Sequence, residues 1–205
     1  YQITPLNEDF FWNSLRAAIR QEQESPAFYP DLSGWRLVFF GDSIFATSSG
    51  SLSIPGYISG LSHAAATNLA VGGSSAVTNF SSAADSFLSE ETPKLCQQKL
   101  CFIINYGFND YFNGVPLENT SDLYDSATYK GSLRSCILRL QAAYPDACFI
   151  LVAPTHTAFY DNGTMIPGEN GAVLEAYVNA AEEISKEMGT HFIDNYHNFV
   201  INEER

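Results

Sequence analysis

Residues 36–43 read Arg36-Leu37-Val38-Phe39-Phe40-Gly41-Asp42-Ser43. An apolar strand runs directly into a Gly-Asp-Ser turn. A serine at the carboxyl end of a buried strand is placed as an exposed nucleophile, because ligands of open α/β sheets bind outside that edge. Taken alone, the tripeptide also fits an ordinary β-turn, in which Gly, Asp and Ser are favoured for local reasons. Its partners elsewhere in the chain decide between the two.

Working outward, the pattern alternates strands with helices. Upstream, residues 7–23 have the spacing of an amphipathic helix, with Asn7 as N-cap and Phe10, Phe11, Leu15 and Ile19 on one face. Residues 24–34, with Pro26, Pro30 and Gly34, form an irregular approach to the first strand at about 35–41. Downstream, Ser53-Ile54-Pro55 opens a short helix with proline in its first turn. A second strand is expected over 68–71, ending in Gly72-Gly73, and a broken helix over 82–98, interrupted near Pro93. Strands at 100–105, 148–153 and 191–194 alternate with helices at about 128–144 and 171–188. Continuously apolar central strands separated by helices predict a parallel α/β sheet covered on both faces.

The chain has 205 residues, enough for one domain with a proper core. Hydrophobic residues make up 45% and charged residues 16%, which excludes a disordered chain. Ten Lys and Arg against 23 Asp and Glu give a net charge of −13, and no basic run offsets it. Nucleic acid and other polyanions are therefore not expected partners. No apolar stretch reaches the length of a membrane span. Cys96, Cys101, Cys136 and Cys148 lack zinc-site spacing and are expected to be structural.

Three successive strand ends carry unusual residues: Ser43, Gly72-Gly73 and Asn109. In a parallel sheet all three lie on one edge. Acyl transfer from an ester needs a nucleophile and donors for the developing oxyanion. A serine with its own N–H, a glycine N–H and an Asn amide would supply them. Each has a plainer alternative, since a glycine pair can end a strand and Asn109 can cap a turn.

With these blocks the chain resembles the SGNH hydrolases, also called the GDSL-type esterase and lipase family. The matching segments are Gly41-Asp42-Ser43-Ile44, Asn68-Leu69-Ala70-Val71-Gly72-Gly73 and Gly107-Phe108-Asn109-Asp110. The resemblance implies a flavodoxin-like three-layer α/β/α sandwich with a five-stranded parallel sheet of order 2-1-3-4-5. It implies Ser43 as nucleophile, and Ser43 N–H, Gly73 N–H and the Asn109 amide as oxyanion hole. Asp42 is expected to brace the turn. No metal or organic cofactor is expected. The domain is expected over 35–205, with residues 1–34 packed on it as helix and approach segment.

A serine needs a base, and the family takes it from a late Asp-x-x-His motif. The one match is Asp194-Asn195-Tyr196-His197. Asp194 ends the fifth strand, three places from the first in the expected order, or roughly 14 Å at about 4.8 Å per step. A nucleophile and base must lie within roughly 3 Å. His197 closes that gap only if the loop doubles back at once. In the family the motif usually follows a further loop, and a final helix comes after it. Neither precedes Arg205, and the chain opens on Tyr1. The expectation is therefore a domain cut at both ends, its acid and base lying beyond residue 205, with Asp194 and His197 as the alternative pair. Among other histidines, His156 is a minor candidate; His63 and His191 are expected to be structural.

The leading reading is a serine esterase acting on a small-molecule ester. Residues 46–53, rich in Ser and Gly, leave little apolar material for a lid, which favours small acyl groups such as acetyl on a sugar. Tyr111, Phe112, Asn113, Phe159 and Tyr160 lie in loops at the productive edge, where their rings either stack on a sugar or pack the loops. The alternatives are a lysophospholipase or thioesterase of the same family, and a non-catalytic binding module on the same fold. The compartment is open between cytoplasm and export with the signal segment absent from this chain.

Overall fold

The computed structural model describes residues 30–46, 53–91, 99–155, 160–161 and 164–198. The expected helix at 7–23 lies outside them, as do Cys96, His156 and Phe159.

Five strands form one parallel sheet: β1 (Trp35–Gly41), β2 (Ala65–Asn68), β3 (Lys99–Asn105), β4 (Cys148–Val152) and β7 (His191–Ile193). Their order is β2-β1-β3-β4-β7, which over the sheet's own five members is the expected 2-1-3-4-5. A separate two-stranded hairpin pairs β5 (Tyr160–Asp161) antiparallel with β6 (Thr164–Met165). β1 and β3 align along their whole length, from Trp35 opposite Lys99 to Gly41 opposite Asn105. Both ends of this central pair are thus level, and everything that follows them emerges at one edge.

Alternation along the central strands divides the core in two. Val38, Phe40, Phe102, Ile104, Phe149 and Leu151 face one side. There they meet α3 (Ser81–Glu91), α5 (Tyr129–Ala143) and α6 (Leu174–Met188). Leu37, Phe39 and Cys101 face the other side, toward α1 (Ser43–Ala46) and α2 (Ile54–Ser62). A cavity of about 430 Å³ runs along this second side, between Trp35, Phe39, Phe45, Ile58, Ile150 and Ile193. Burial pushes the Cys101 thiol up to about 12, helped by Cys148 opposite it, so Cys101 behaves as a small apolar residue.

Local chemistry sets the helix ends. Ser53 caps α2 by accepting the Gly56 N–H at 3.0 Å, with Pro55 in the first turn. Thr128 caps α5 by accepting the Gly131 N–H at 3.2 Å. α6 begins at Leu174, three residues later than the sequence pattern predicts, because Gly171 takes φ 80° and Val173 is extended.

Two segments differ more from expectation. β2 lies at Ala65–Asn68 rather than 68–71, since Arg36 to Phe39 of β1 pair with 65 to 68. The ladder nevertheless continues past its end: the Leu69 N–H donates to the Phe39 carbonyl at 2.8 Å and the Val71 N–H to the Gly41 carbonyl at 3.0 Å. The helix expected from residue 82 starts earlier. A π-helical turn at Ala76–Phe80, capped by Ser75, runs straight into α3.

Candidate active site

Ser43 is the first residue of α1, immediately beyond β1, and is exposed. Gly41 permits this placement. A Cβ there would lie 2.7 Å from the Asn105 carbonyl oxygen, so only glycine lets the ends of β1 and β3 come together. Asp42 is buried at 2% exposure. Its Oδ1 accepts the Ile44 N–H at 2.9 Å, and its main-chain carbonyl accepts the Ala46 N–H at 3.0 Å. It braces the turn, as the sequence implies. Burial pushes its carboxyl above the usual range, against the pull of the Ile44 N–H.

The second strand end arches over this turn. A Cβ built on Gly72 would stand 4.0 Å from the Ser43 Cβ. Gly73 has φ 76°, a left-handed conformation that glycine adopts without penalty. Ser74 closes the arch. Its N–H donates to the Val71 carbonyl at 3.2 Å, and its hydroxyl lies 2.8 Å from the same carbonyl and 3.2 Å from that of Gly41.

The third strand end is α4 (Phe108–Phe112), a short helix where the sequence suggests only a loop. Gly107 turns into it at φ 129°, and a Cβ there would strike the Tyr129 hydroxyl at 2.9 Å. Asn109 Nδ2 donates to the Ser74 carbonyl at 2.8 Å and lies 3.4 Å from Asp42 Oδ2. One amide thus touches both other strand ends.

Two further residues hold the site together. Ser74 joins all three strand ends. Asp110 is fully buried, and its two oxygens accept the Ala76 N–H at 3.1 and 3.0 Å. Burial pushes its carboxyl up to about 6, opposed by the N–H groups of Ala76 and Val77. The sequence held a signal for each: Ser74 follows the Gly-Gly pair, and Asp110 follows Asn109 in the motif.

At the sheet's far edge, α7 (Asn195–Asn198) starts directly after Asp194. Asp194 Oδ2 lies 2.8 Å from His197 Nδ1, and Oδ1 accepts the His197 main-chain N–H at 2.9 Å. His197 Nε2 is 3.4 Å from Glu175 Oε1. The hydrogen bond to Asp194, then that to Glu175, raises the imidazole above its ordinary value. Partial desolvation is the largest influence on Asp194, yet the opposing hydrogen bonds from His197 hold its carboxyl low. Asn195 of α7 and Phe45 of α1 line the same cavity.

The other histidines sit elsewhere. His63 is the left-handed cap of α2 at φ 60°, 3.4 Å from Asp31. His191 opens β7, at the opposite edge. Among the aromatic candidates, Tyr111 is buried at 2% and donates its hydroxyl to the Ile166 carbonyl, which is packing. Phe112 is exposed at 56%. Asn113 caps α4 through its backbone N–H, and Tyr160 lies in the hairpin.

No helix among the described residues is long and apolar enough to cross a membrane. No curated protein matches the chain. Solved structures do. A protein from Lactobacillus plantarum superposes with a TM-score of 0.67 at 18% identity, covering 83% of this chain and 81% of its own. A possible lipase from Chitinophaga pinensis gives 0.56 at 22%, covering 79% and 68%. The acetyl xylan esterase AlAXEase gives 0.56 at 17%, covering 80% and 79%. At these identities the likeness is one of fold. The family follows from the sequence itself: the model of the GDSL-like lipase/acylhydrolase family matches residues 39–205, and the chain belongs to that family.

Proposed function

We propose that the protein hydrolyses small acyl esters through a serine acyl-enzyme. Ser43 Oγ attacks the ester carbonyl while its proton passes to His197 Nε2. The bond from Asp194 to Nδ1 sets that tautomer and steadies the imidazolium. The oxyanion accepts hydrogen bonds from the Ser43 N–H, the Gly73 N–H and the Asn109 amide. His197 then gives its proton to the leaving alkoxide. Water attacks the acyl-enzyme with His197 again as base, and the carboxylic acid and free Ser43 are released. The chemistry draws on no metal or organic cofactor.

The observation that carries this reading is the convergence of three strand ends on one exposed serine. A Cβ on Gly72 would stand 4.0 Å from Ser43 Cβ, and Asn109 is tied to Ser74 at 2.8 Å. Family membership and the esterases among similar folds support hydrolysis of an ester. The Ser- and Gly-rich stretch after Ser43 supports a short acyl group, acetyl on a carbohydrate being the foremost case. His197 is preferred as base because its dyad with Asp194 is assembled and Asn195 of α7 shares a cavity with Phe45 of α1.

The test is hydrolysis of p-nitrophenyl acetate by the full-length protein and by Ser43→Ala. Loss of turnover in the variant is expected. Equal rates overturn the reading in favour of a binding module. If activity is present and His197→Ala leaves it unchanged, another group is the base, His156 or one beyond residue 205.

A further inference from the structure

A cavity of about 250 Å³ opens beside α4, lined by Tyr111, Phe112, Ile166, Pro167, Gly168 and Glu169. Its walls are closely packed. A Cβ at Gly168 would collide with the Tyr111 carbonyl oxygen at 2.0 Å, so the loop backbone lies directly on the helix. Gly114, at φ 61°, lets Asn170 approach closely too: a Cβ there would meet the Asn170 nitrogen at 2.7 Å. The Asn170 amide then fastens the loop to the Val115 carbonyl at 3.2 Å and to the Tyr177 hydroxyl at 3.0 Å. The Tyr111 hydroxyl holds the Ile166 carbonyl from below.

The cavity is lined in part by the same short helix that carries Asn109. Phe112 follows Asn109 by three residues on α4, so the two share one helix face, with Cβ atoms about 5–6 Å apart. The walls combine one aromatic ring exposed at 56%, an aliphatic side chain exposed at 44% (Ile166) and one exposed carboxylate (Glu169). The volume is below the roughly 300–1,000 Å³ of sites for drug-sized ligands. It suits a single ring rather than a long chain. An acyl chain would gain nothing from Glu169. A quaternary ammonium would want a cage of several ring faces, and here Tyr111 is buried beneath the loop. A pyranose uses both kinds of wall: its C–H face lies on an aromatic ring, and its hydroxyls donate to a carboxylate.

We infer that this cavity is the subsite for a pyranose ring, held between Phe112 and Glu169 as the alcohol part of the substrate. The assignment to the alcohol side rests on the proposed ester hydrolysis, because acetyl needs no such space. Binding of the free sugar does not depend on it.

The experiment uses the full chain and two measurements. The first is binding of unesterified methyl β-glucoside by ligand-observed NMR, which needs no turnover. The second is the ratio of kcat/KM for mono-acetylated methyl glucoside to that for ethyl acetate. Phe112→Ala and Glu169→Gln are expected to abolish the NMR signal and to lower the ratio about tenfold through KM, a loss of the size of one stacking or hydrogen-bonding contact. Phe112→Tyr should retain both. Leu138→Ala, an equally exposed apolar position on α5, should change neither. No binding by the parent, or binding and ratio that survive both substitutions, overturns the subsite. So does acetylcholine taking the place of the sugar ester as the substrate sensitive to Glu169→Gln. A parent that binds the glucoside yet hydrolyses no ester leaves the cavity assigned and overturns the esterase reading instead.

Discussion

The side-chain amide of Asn109 donates to the main-chain carbonyl of Ser74 at 2.8 Å, while the Ser74 hydroxyl lies 3.2 Å from the carbonyl of Gly41. Two strand ends are thereby tied to a third through a single residue. Asn109 therefore has two tasks, one structural and one proposed for catalysis, and they can be separated. Asn109→Ala should lower kcat for p-nitrophenyl acetate by about 10²–10³, the usual effect of removing one oxyanion donor. It should also destabilise the fold by about 1–2 kcal/mol, because the Ser74 carbonyl loses its partner. Steady-state kinetics and thermal melts on the same preparation check both. A melt shift with unchanged kcat would leave only the structural task.

Asp110 offers a test through pH. Its carboxyl rises from 3.8 when free to about 6 in the fold. With a raised folded value, its stabilising effect is fully present below about pH 4 and is lost as pH rises through 6. A difference of roughly two pH units corresponds to about 3 kcal/mol. Asp110→Asn keeps an acceptor for the Ala76 N–H but cannot ionise. The stability difference between the variant and its parent should therefore move in the variant's favour by about that amount between pH 4 and pH 7. Denaturant titrations at several pH values measure it, and parallel curves would contradict the assignment.

The His197 imidazole is raised by Asp194 first and Glu175 second. A base must be neutral to accept a proton, so the acid limb of the kcat/KM profile should lie above the ordinary imidazole value of 6.5. Glu175→Gln removes the weaker partner at 3.4 Å. Its limb should move to lower pH with the plateau rate largely retained. Asp194→Asn should move the limb the same way and also depress the plateau, since the tautomer is no longer set. An unmoved limb in both variants would assign it to another group.

Gly41→Ala tests the close approach beneath the serine. The added methyl would sit 2.7 Å from the Asn105 carbonyl oxygen and 3.1 Å from the Phe45 ring. The ring can shift, but the backbone carbonyl cannot do so without parting β1 from β3. A loss of about 1–3 kcal/mol is expected, as for other overpacked interiors. Activity should fall further than stability, because the displacement falls next to Ser43.

How far the sequence alone carried these features differs from element to element. β1 and β3 were legible because Val38 to Phe40 and Leu100 to Ile104 are unbroken apolar runs, the mark of a strand buried on both faces. β2 was misplaced by three residues because 68–71 is more apolar than 65–68; the αL cap at His63, which sets where the strand begins, has no strong sequence signature. Gly107-Phe108-Asn109-Asp110 reads as turn chemistry, and the short helix there is entered through Gly107 at φ 129°, packed against Tyr129 of a distant element. Counting strands placed Asp194 far from Ser43. It could not anticipate that Asp194 itself caps α7, accepting the main-chain N–H of Tyr196 and of His197. Ser74 and Asp110 were passed over for a related reason. Each bonds to main-chain or amide groups of distant segments, partners that residue identity does not reveal.

The bond from the Ala76 N–H to a carboxylate, rather than to another peptide, has a consequence in time. An amide in a helix or sheet is released to solvent when its ladder opens. This one is released when a side chain swings away, and it weakens when that side chain gains a proton, since a neutral carboxyl still accepts but without the charge. The start of the π-helical turn, and the arch over Ser43 that leads into it, are latched by a group that titrates. Solvent-exchange lifetimes at Ala76 should therefore follow the protonation of Asp110 as well as the opening of the fold, making one backbone proton a clock for the nucleophile's surroundings.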